Sequence, residues 1–203
     1  HYLRTGTGTP LLLLHGWPGA ASDYLEVIDA LAQDFTVVVP TMPGFGFSGV
    51  TSTSGWGVDR MARAWIALME KLGFERYGVH GYDWGARIGP ALARLVPERV
   101  IGLHLDGYFV FPQGEELNEA EQQRLSGLDR WQTERSGYAA IQGTRPQTLA
   151  YSLLDSPVGQ LAWNLEWYDD YGRREGAISN DQILDTVTLT WLTRTAGSQA
   201  RLY

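Results

Sequence analysis

The stretch YGVHGYDWGARIGPALARLV, residues 77–96, joins a predicted strand, Tyr77–Tyr82, to a predicted helix, Trp84–Val96. Glycines stand two positions before and two positions after Asp83, at the junction between the two elements. This spacing allows the sharp turn of a nucleophile elbow, which exposes the central side chain at the end of a strand. The motif by itself also fits an ordinary strand-to-helix turn in which Asp83 is the helix N-cap.

An aspartate at the centre of such a turn implies different chemistry from a serine. Its carboxylate is ionised at pH 7 and can attack an sp³ carbon without a base to activate it. The product is an ester on the protein, and its hydrolysis needs a general base and an oxyanion hole. The turn HGWPG, residues 15–19, can supply the backbone N–H of Trp17, and the helix N-terminus can supply that of Trp84. Trp17 and Trp84 are therefore the predicted oxyanion hole.

Strand-like and helix-like runs alternate through the first half of the chain, which is typical of a parallel α/β sheet. Besides Tyr77–Tyr82, strands are predicted at Leu11–His15, Thr36–Val39 and Val100–Leu105. Helices are predicted over Leu25–Leu31 after an N-cap at Ser22, and over Met61–Leu72 before Gly73. Residues 1–10 are polar and glycine-rich, and the first strand is placed after them.

No strand is predicted after about Phe111, where the pattern becomes helical. Ser156-Pro157 combines an N-cap with a proline at the first helical position, and Ser179-Asn180-Asp181-Gln182 is a capping box. We therefore predict an α/β core over residues 1–111 and a helical lid over residues 112–203.

The composition excludes several classes of partner and site. The 203 residues carry 16 Lys and Arg against 23 Asp and Glu, a formal net charge of -7, so a nucleic-acid partner would lack a basic surface. The absence of cysteine excludes a disulfide framework and a thiolate metal site. The four histidines are not at metal-ligand spacing, so no metal is predicted.

Two further patterns bear on cofactors and on membranes. The stretch GFGFSG, residues 44–49, matches a dinucleotide fingerprint, but Pro43 precedes it and no strand ends in an acidic residue about 20 positions later. We predict no cofactor. Apolar runs such as Leu11–Leu14 are far shorter than the ~20 residues of a transmembrane helix, so no membrane segment is predicted. A cytoplasmic location is favoured, and the sequence neither requires nor excludes a homodimer.

Several ungapped blocks resemble the epoxide hydrolases of the α/β-hydrolase fold, and among them the microsomal type. The blocks are HGWPG at 15–19, PTMPGFGFSG at 40–49, HGYDWGARIGPALARLVPERV at 80–100, SGYAAIQGTRPQTLAYSLLDSPVGQLAWNLEW at 136–167 and GSQARLY at 197–203. The resemblance implies that epoxides are opened to vicinal diols through a covalent ester on Asp83. It also implies that Tyr138 and Tyr203 donate hydrogen bonds to the epoxide oxygen.

Physical chemistry independently requires such donors. Opening an epoxide releases an alkoxide, and a phenol with an unperturbed pKa of about 10 can protonate it while staying protonated at pH 7. The second half is also rich in Trp and Tyr, including Trp131, Trp163 and Trp167, which favours a small lipophilic epoxide as the substrate, with water as the second reactant.

The chain departs from the family pattern in one respect. The resemblance implies a histidine base and an Asp or Glu that orients it, both in the last part of the fold. None of the histidines fits this role: we expect His15, His80 and His104 to be structural and His1 to be disordered. Asp106, at the end of the fourth predicted strand, is either the orienting acid or a strand-end Asp that satisfies nearby backbone.

We therefore expect the chain to be a fragment that lacks the base, and unable to turn over by itself. Two other functions stay open. A haloalkane dehalogenase also uses an Asp-Trp pair in the elbow, with Trp N–H groups that hold the leaving halide. A non-catalytic ligand-binding domain would keep an aromatic pocket without the base.

Overall fold

The computed structural model describes residues 1–107, 117–170 and 178–203. Within them, one sheet of five strands has the spatial order β1-β3-β2-β4-β5. The strands are β1 (Tyr2–Thr5), β2 (Thr9–Leu14), β3 (Phe35–Pro40), β4 (Tyr77–Tyr82) and β5 (Val100–Asp106). The last four are mutually parallel, which confirms the four predicted strands to within two residues at each end.

The strand β1 was not predicted. It pairs antiparallel with β3, in a register that sets Tyr2 opposite Pro40 and Leu3 opposite Val39. Only Leu3 of its four residues is apolar and turned towards a hydrophobic cluster, so there is too little alternation to detect from sequence. Tertiary pairing with β3 decides this strand.

Each pair of consecutive parallel strands is joined through a helix. These helices are α1 (Leu25–Leu31), α2 (Val58–Lys71) and α3 (Trp84–Leu95). The predicted N-cap at Ser22 is wrong: a 3₁₀ turn, Ala21–Tyr24, precedes α1, and the Ser22 hydroxyl has no hydrogen-bond partner among the described residues. Gly73 follows α2 with φ of 80°, the left-handed conformation that suits a glycine after a helix.

Side chains alternate between the two faces of the sheet, as the strand period requires. Leu12 and Leu14 of β2 pack with the buried side of α2 and α3, whereas Leu13 packs with Tyr24 and Ile28 on the α1 side. Each fully buried leucine contributes about 1.5–3 kcal/mol to folding. Helices therefore pack on both faces of the sheet, and this packing fixes the positions of the carboxyl ends of its parallel strands.

The second half of the described chain is helical. It contains α4 (Glu119–Glu134), α5 (Gly137–Thr144), α6 (Pro146–Asp155), α7 (Pro157–Asp170), α8 (Asn180–Leu192) and α9 (Ala196–Ala200). The predicted start of α7 is confirmed, because the Ser156 hydroxyl accepts a hydrogen bond from Gly159 N–H at 3.0 Å. The capping box of α8 is confirmed as well. None of these described helices combines the length and apolar composition needed to cross a bilayer.

The end of the chain returns to the core. The Ser198 hydroxyl donates a hydrogen bond to the Gly44 carbonyl, and Leu202 joins the same hydrophobic cluster as Leu12 and Leu14. This contact places Tyr203 close to the carboxyl end of β4. The predicted boundary between residues 111 and 112 lies outside the described residues, so the division into core and lid stays a prediction.

Candidate active site

The turn between β4 and α3 is sharp and strained. Asp83 has φ of 49°, a left-handed value that costs a non-glycine residue about 1–3 kcal/mol. Glycines make room for the turn: a Cβ on Gly81 would collide with the Gly85 carbonyl, and a Cβ on Gly85 would collide with the Leu14 carbonyl. A Cβ on Gly16 would collide with the Asp83 side chain itself. The turn predicted from the glycine spacing is therefore confirmed.

Asp83 stands at the N-cap position of α3 but does not act as a cap. Its side chain accepts no N-capping hydrogen bond from the backbone N–H of Gly85 or Ala86, the usual partners of an N-cap. Instead Oδ1 accepts a hydrogen bond from the backbone N–H of Trp17 at 2.8 Å, and the carboxylate also accepts one from the backbone N–H of Trp84. Both donors predicted for the oxyanion hole thus reach the same carboxyl group.

The electrostatic environment of Asp83 contains one residue that sequence reasoning missed. Burial raises the pKa of Asp83, and this outweighs the opposing effects of the Trp17 and Trp84 hydrogen bonds and of the Arg87 charge. The Arg87 guanidinium lies 5.1 Å from the centroid of a Trp84 ring. Its position one helical turn after Asp83 was the available signal, because residues four apart share one face of a helix.

Replacing Asp83 by Asn is expected to stabilise the folded chain by about 0.5–2 kcal/mol at pH 8. The pKa of Asp83 is higher in the folded chain than in the unfolded chain, so ionising Asp83 destabilises the folded chain at pH values above the folded-state pKa. This destabilisation decreases as the pH falls towards the pKa of Asp83 in the unfolded chain. Urea unfolding of both proteins at pH 8 and at pH 4 measures the effect. The gain should be smaller at pH 4, and an Asp83→Asn protein less stable than the parent at pH 8 would contradict this expectation.

Four aromatic rings meet above the elbow. Trp17 stacks on Tyr138 with ring centroids 5.1 Å apart and planes 9° from parallel. Tyr203 packs edge-on against Trp84 at 5.1 Å and against Tyr138 at 5.7 Å. A cavity of about 630 Å³ opens beside this cluster and is lined by Asp83, Tyr138 and Tyr203 among others. Three predicted site residues, distant in sequence, therefore face one space.

The hydroxyl of Tyr203 is hydrogen-bonded to two neighbours. Burial raises its pKa well above the ordinary value, the charges of Asp83 and Tyr138 raise it further, and a hydrogen bond from the Trp84 side chain opposes them. A second hydrogen bond joins it to the Tyr138 side chain. Tyr203 therefore stays protonated at neutral pH, which keeps its O–H available as a donor.

Comparison with known proteins places this chain in a fold family. Residues 9–146 match the family model described as the alpha/beta hydrolase fold. The chain belongs to the α/β-hydrolase fold family. This match and the structural likeness below confirm the predicted fold class.

Relatives of this α/β hydrolase include epoxide hydrolases. The chain is 43% identical over 211 residues to a Stigmatella aurantiaca protein provisionally named an epoxide hydrolase, covering 96% of this chain and 48% of that protein. It is 34% identical to epoxide hydrolase 1 of Sus scrofa, covering 97% and 52%. The crystal structure of juvenile hormone epoxide hydrolase from the silkworm Bombyx mori superposes with a TM-score of 0.89 at 30% identity, over 100% of this chain and 57% of that one. The chain thus spans about half the length of the curated relatives it matches.

His15 stabilises the turn that carries Trp17. It is fully buried; its Nε2 accepts a hydrogen bond from Met42 N–H at 2.9 Å, so Nδ1 carries the proton and donates to the Gly16 carbonyl at 2.8 Å. Burial lowers its pKa to about 4, although the Gly16 hydrogen bond acts in the opposite direction. His15 is therefore neutral and structural, as predicted.

The prediction that His1 is disordered is wrong. Its terminal ammonium group donates to the Ser48 hydroxyl at 3.0 Å, and its Nδ1 lies 3.1 Å from the Thr41 hydroxyl. The ring also contacts Phe47, with centroids 5.3 Å apart. Pairing of β1 with β3 brings the terminus to these partners, which no local pattern could indicate.

His80 and His104 form a pair that sequence spacing did not reveal. They are direct neighbours in the register of β4 and β5, and their Nδ1 atoms lie 2.8 Å apart. Asp106 follows two residues later on the same face, and one ligand atom from each of the three lies within 4.8 Å of the others. Two nitrogens on a tetrahedral zinc with bonds of about 2.0–2.1 Å would lie about 3.3 Å apart, so the observed distance favours a hydrogen bond over a metal site.

Asp106 lies at the exposed end of β5, close to these two histidines. Burial lowers the pKa of His80, while the Asp106 charge acts to raise it. The role of Asp106 as an orienting acid stays a prediction. None of the four histidines lines the cavity that contains Asp83.

Proposed function

We propose that this α/β hydrolase opens epoxides through an ester on Asp83. The observation that carries the proposal is the placement of the Asp83 carboxylate and two hydrogen-bonded phenols, Tyr138 and Tyr203, on one aromatic cavity. The similarity to epoxide hydrolases supports it, although those proteins are about twice as long.

In the proposed first step, Oδ2 of Asp83 attacks a ring carbon of the epoxide. Oδ1 is engaged by the Trp17 N–H, which leaves Oδ2 as the attacking atom. The new C–O bond forms as the ring C–O bond breaks, and its electron pair goes to the epoxide oxygen. That oxygen takes a proton from Tyr138 or Tyr203, and the tyrosinate is then reprotonated from water. The product is a hydroxyalkyl ester of Asp83.

In the proposed second step, water attacks the carbonyl carbon of this ester. The negative charge that develops on the carbonyl oxygen is stabilised by the N–H groups of Trp17 and Trp84, and each such donor contributes about 2.7–4 kcal/mol in comparable sites. A base must take a proton from the water. Because none of the histidines lines the cavity, we propose that the base comes from outside these residues and that this chain stops at the ester.

The arrangement favours an epoxide over a haloalkane. A leaving halide needs hydrogen-bond donors but no proton. The two phenols, in contrast, provide the proton that an epoxide oxygen requires. The aromatic lining, which includes Trp131, supports a small lipophilic epoxide as the substrate.

Incubation with excess styrene oxide at pH 8 is expected to add the mass of one epoxide to the chain, with almost no diol released. Intact-mass spectrometry and peptide mapping should place the adduct on Asp83, and circular dichroism should verify folding beforehand. Sustained diol release without an adduct would show that a base lies within the chain. If neither adduct nor diol forms but bromide is released from a bromoalkane, the proposal is overturned in favour of a dehalogenase. If adduct, diol and bromide are all absent, a binding domain is favoured.

A further inference from the structure

A second carboxyl group, Asp23, lies with Asp83 against the oxyanion turn, residues 16–20, which carries the Trp17 N–H. It comes from the 3₁₀ turn before α1, and its Oδ2 accepts a hydrogen bond from the hydroxyl of Tyr82. Tyr82 is the last residue of β4 and directly precedes Asp83. Neither residue takes part in the ester chemistry described above, and neither was singled out from the sequence.

The two side chains connect both ends of the turn that carries Trp17. At one end, Oδ1 of Asp23 accepts a hydrogen bond from Ala20 N–H at 3.3 Å. At the other end, the Gly16 backbone approaches the Tyr82 hydroxyl closely enough to act on the pKa of that hydroxyl in the lowering direction. Between them, a Cβ on Gly19 would collide with the Asp23 carboxylate, so that carboxylate lies directly against the turn. The residues Gly16–Ala20 are thus tied to the nucleophile elbow through one Tyr–Asp pair.

We propose that Asp23 and Tyr82 are positioning residues that hold the Trp17 N–H on the Asp83 carboxyl group. A backbone donor on a loop stabilises a developing charge only if it is fixed to within about 0.5 Å. The Trp17 N–H belongs to such a loop, and its 2.8 Å hydrogen bond to Asp83 depends on where the turn lies relative to the elbow. The Tyr82 hydroxyl helps to set this distance, because Tyr82 directly precedes Asp83 and its hydroxyl donates to the Asp23 carboxylate that lies against the turn. The catalytic part of this inference rests on the proposed function.

The charge state of the pair suits this role at the pH of the proposed reaction. Desolvation by the surrounding protein atoms raises the pKa of Asp23 to about 6, while the hydrogen bonds from Tyr82 and Ala20 act to lower it. Asp23 is therefore ionised at pH 8, and a hydrogen bond from a phenol to a carboxylate is stronger than one between neutral groups. Although many protein atoms surround it, the carboxylate faces a cavity of about 400 Å³ that Trp17 and Trp167 also line, and solvent reaches it there.

The test uses Tyr82→Phe, which removes one hydroxyl and keeps the ring, and Asp23→Asn, which keeps the size of the side chain. Tyr24→Phe is the matched control, because it removes a neighbouring hydroxyl that donates to the Leu14 carbonyl at 2.9 Å and not to residues 16–20. Two quantities are measured at pH 8. They are the amide exchange rates of Gly16 and Trp17 by NMR, and the single-turnover rate of ester formation with styrene oxide.

In Tyr82→Phe and Asp23→Asn, amide hydrogen exchange of the Trp17 N–H should become faster. The increase should exceed by at least about tenfold the increase that lower global stability alone would cause. Ester formation at saturating epoxide should fall roughly 10- to 100-fold, with the half-saturating concentration unchanged within about threefold. Tyr24→Phe should change neither quantity beyond its effect on stability. The Asp23→Asn protein decides the matter if Tyr82→Phe does not fold.

Unchanged exchange at Gly16 and Trp17 would overturn the inference, and so would equal changes in Tyr24→Phe, which would indicate general loosening. Faster exchange with an unchanged rate of ester formation would overturn the catalytic part. If the parent chain forms no ester, the proposed function fails, yet amide exchange still decides whether the pair fixes the turn.

Discussion

The Asp83→Asn chain is expected to form an ester with styrene oxide at a rate at least about 10⁴-fold below that of the parent chain. An amide oxygen is a far weaker nucleophile than a carboxylate oxygen. The substitution leaves the geometry nearly intact, because Asn has the size of Asp and its carbonyl oxygen can still accept the Trp17 N–H. Intact-mass spectrometry over a time course measures the rate.

The matched control is Asp34→Asn, which changes an exposed aspartate in the loop between α1 and β3. This chain should form the ester at the parent rate. An adduct of equal yield in Asp83→Asn would assign the nucleophile to another carboxylate and contradict the proposed function. Together with the stability gain expected for Asp83→Asn, complete loss of the adduct would show that a strained and buried carboxylate is retained for reactivity at the expense of stability.

The double variant Tyr138→Phe/Tyr203→Phe, which lacks both phenol hydroxyls, is expected to form the ester about 10³–10⁴-fold more slowly than the parent chain. Each single substitution should lower it by about 10–10²-fold, since the remaining tyrosine can still donate to the epoxide oxygen. The hydrogen bond between the two hydroxyls predicts non-additive effects, because loss of one partner alters the donor geometry of the other. Single-turnover kinetics with styrene oxide at pH 8 measure all three proteins.

Tyr151→Phe serves as the control for these variants, because Tyr151 is a largely exposed residue of α6. It should form the ester at the parent rate. A double variant within about tenfold of the parent would show that the epoxide oxygen leaves without help from these phenols. In that case the assignment of Tyr138 and Tyr203 would be wrong, while Asp83 could still be the nucleophile.

Local sequence patterns were sufficient to predict the turn at Asp83 and the starts of two helices in the second half of the chain. Glycines at 81 and 85 predicted the strained turn because only a residue without Cβ fits against the neighbouring carbonyl groups. The start of α7 and the capping box of α8 were also predictable, since a helix N-terminus is satisfied by residues within one turn. Tyr138 and Tyr203 came from the resemblance to epoxide hydrolases; their spacing alone would not distinguish them from the other tyrosines.

The sequence by itself determined the α/β class, the elbow and the identity of its central carboxylate, because these depend on backbone sterics within a few residues. The tertiary structure alone decided the edge strand β1, the pairing of His80 with His104, and the Tyr82–Asp23 contact that connects the elbow to the oxyanion turn. These features depend on sheet register and on packing between segments far apart in the chain. Their energies arise only when the whole sheet has formed, so no local pattern records them.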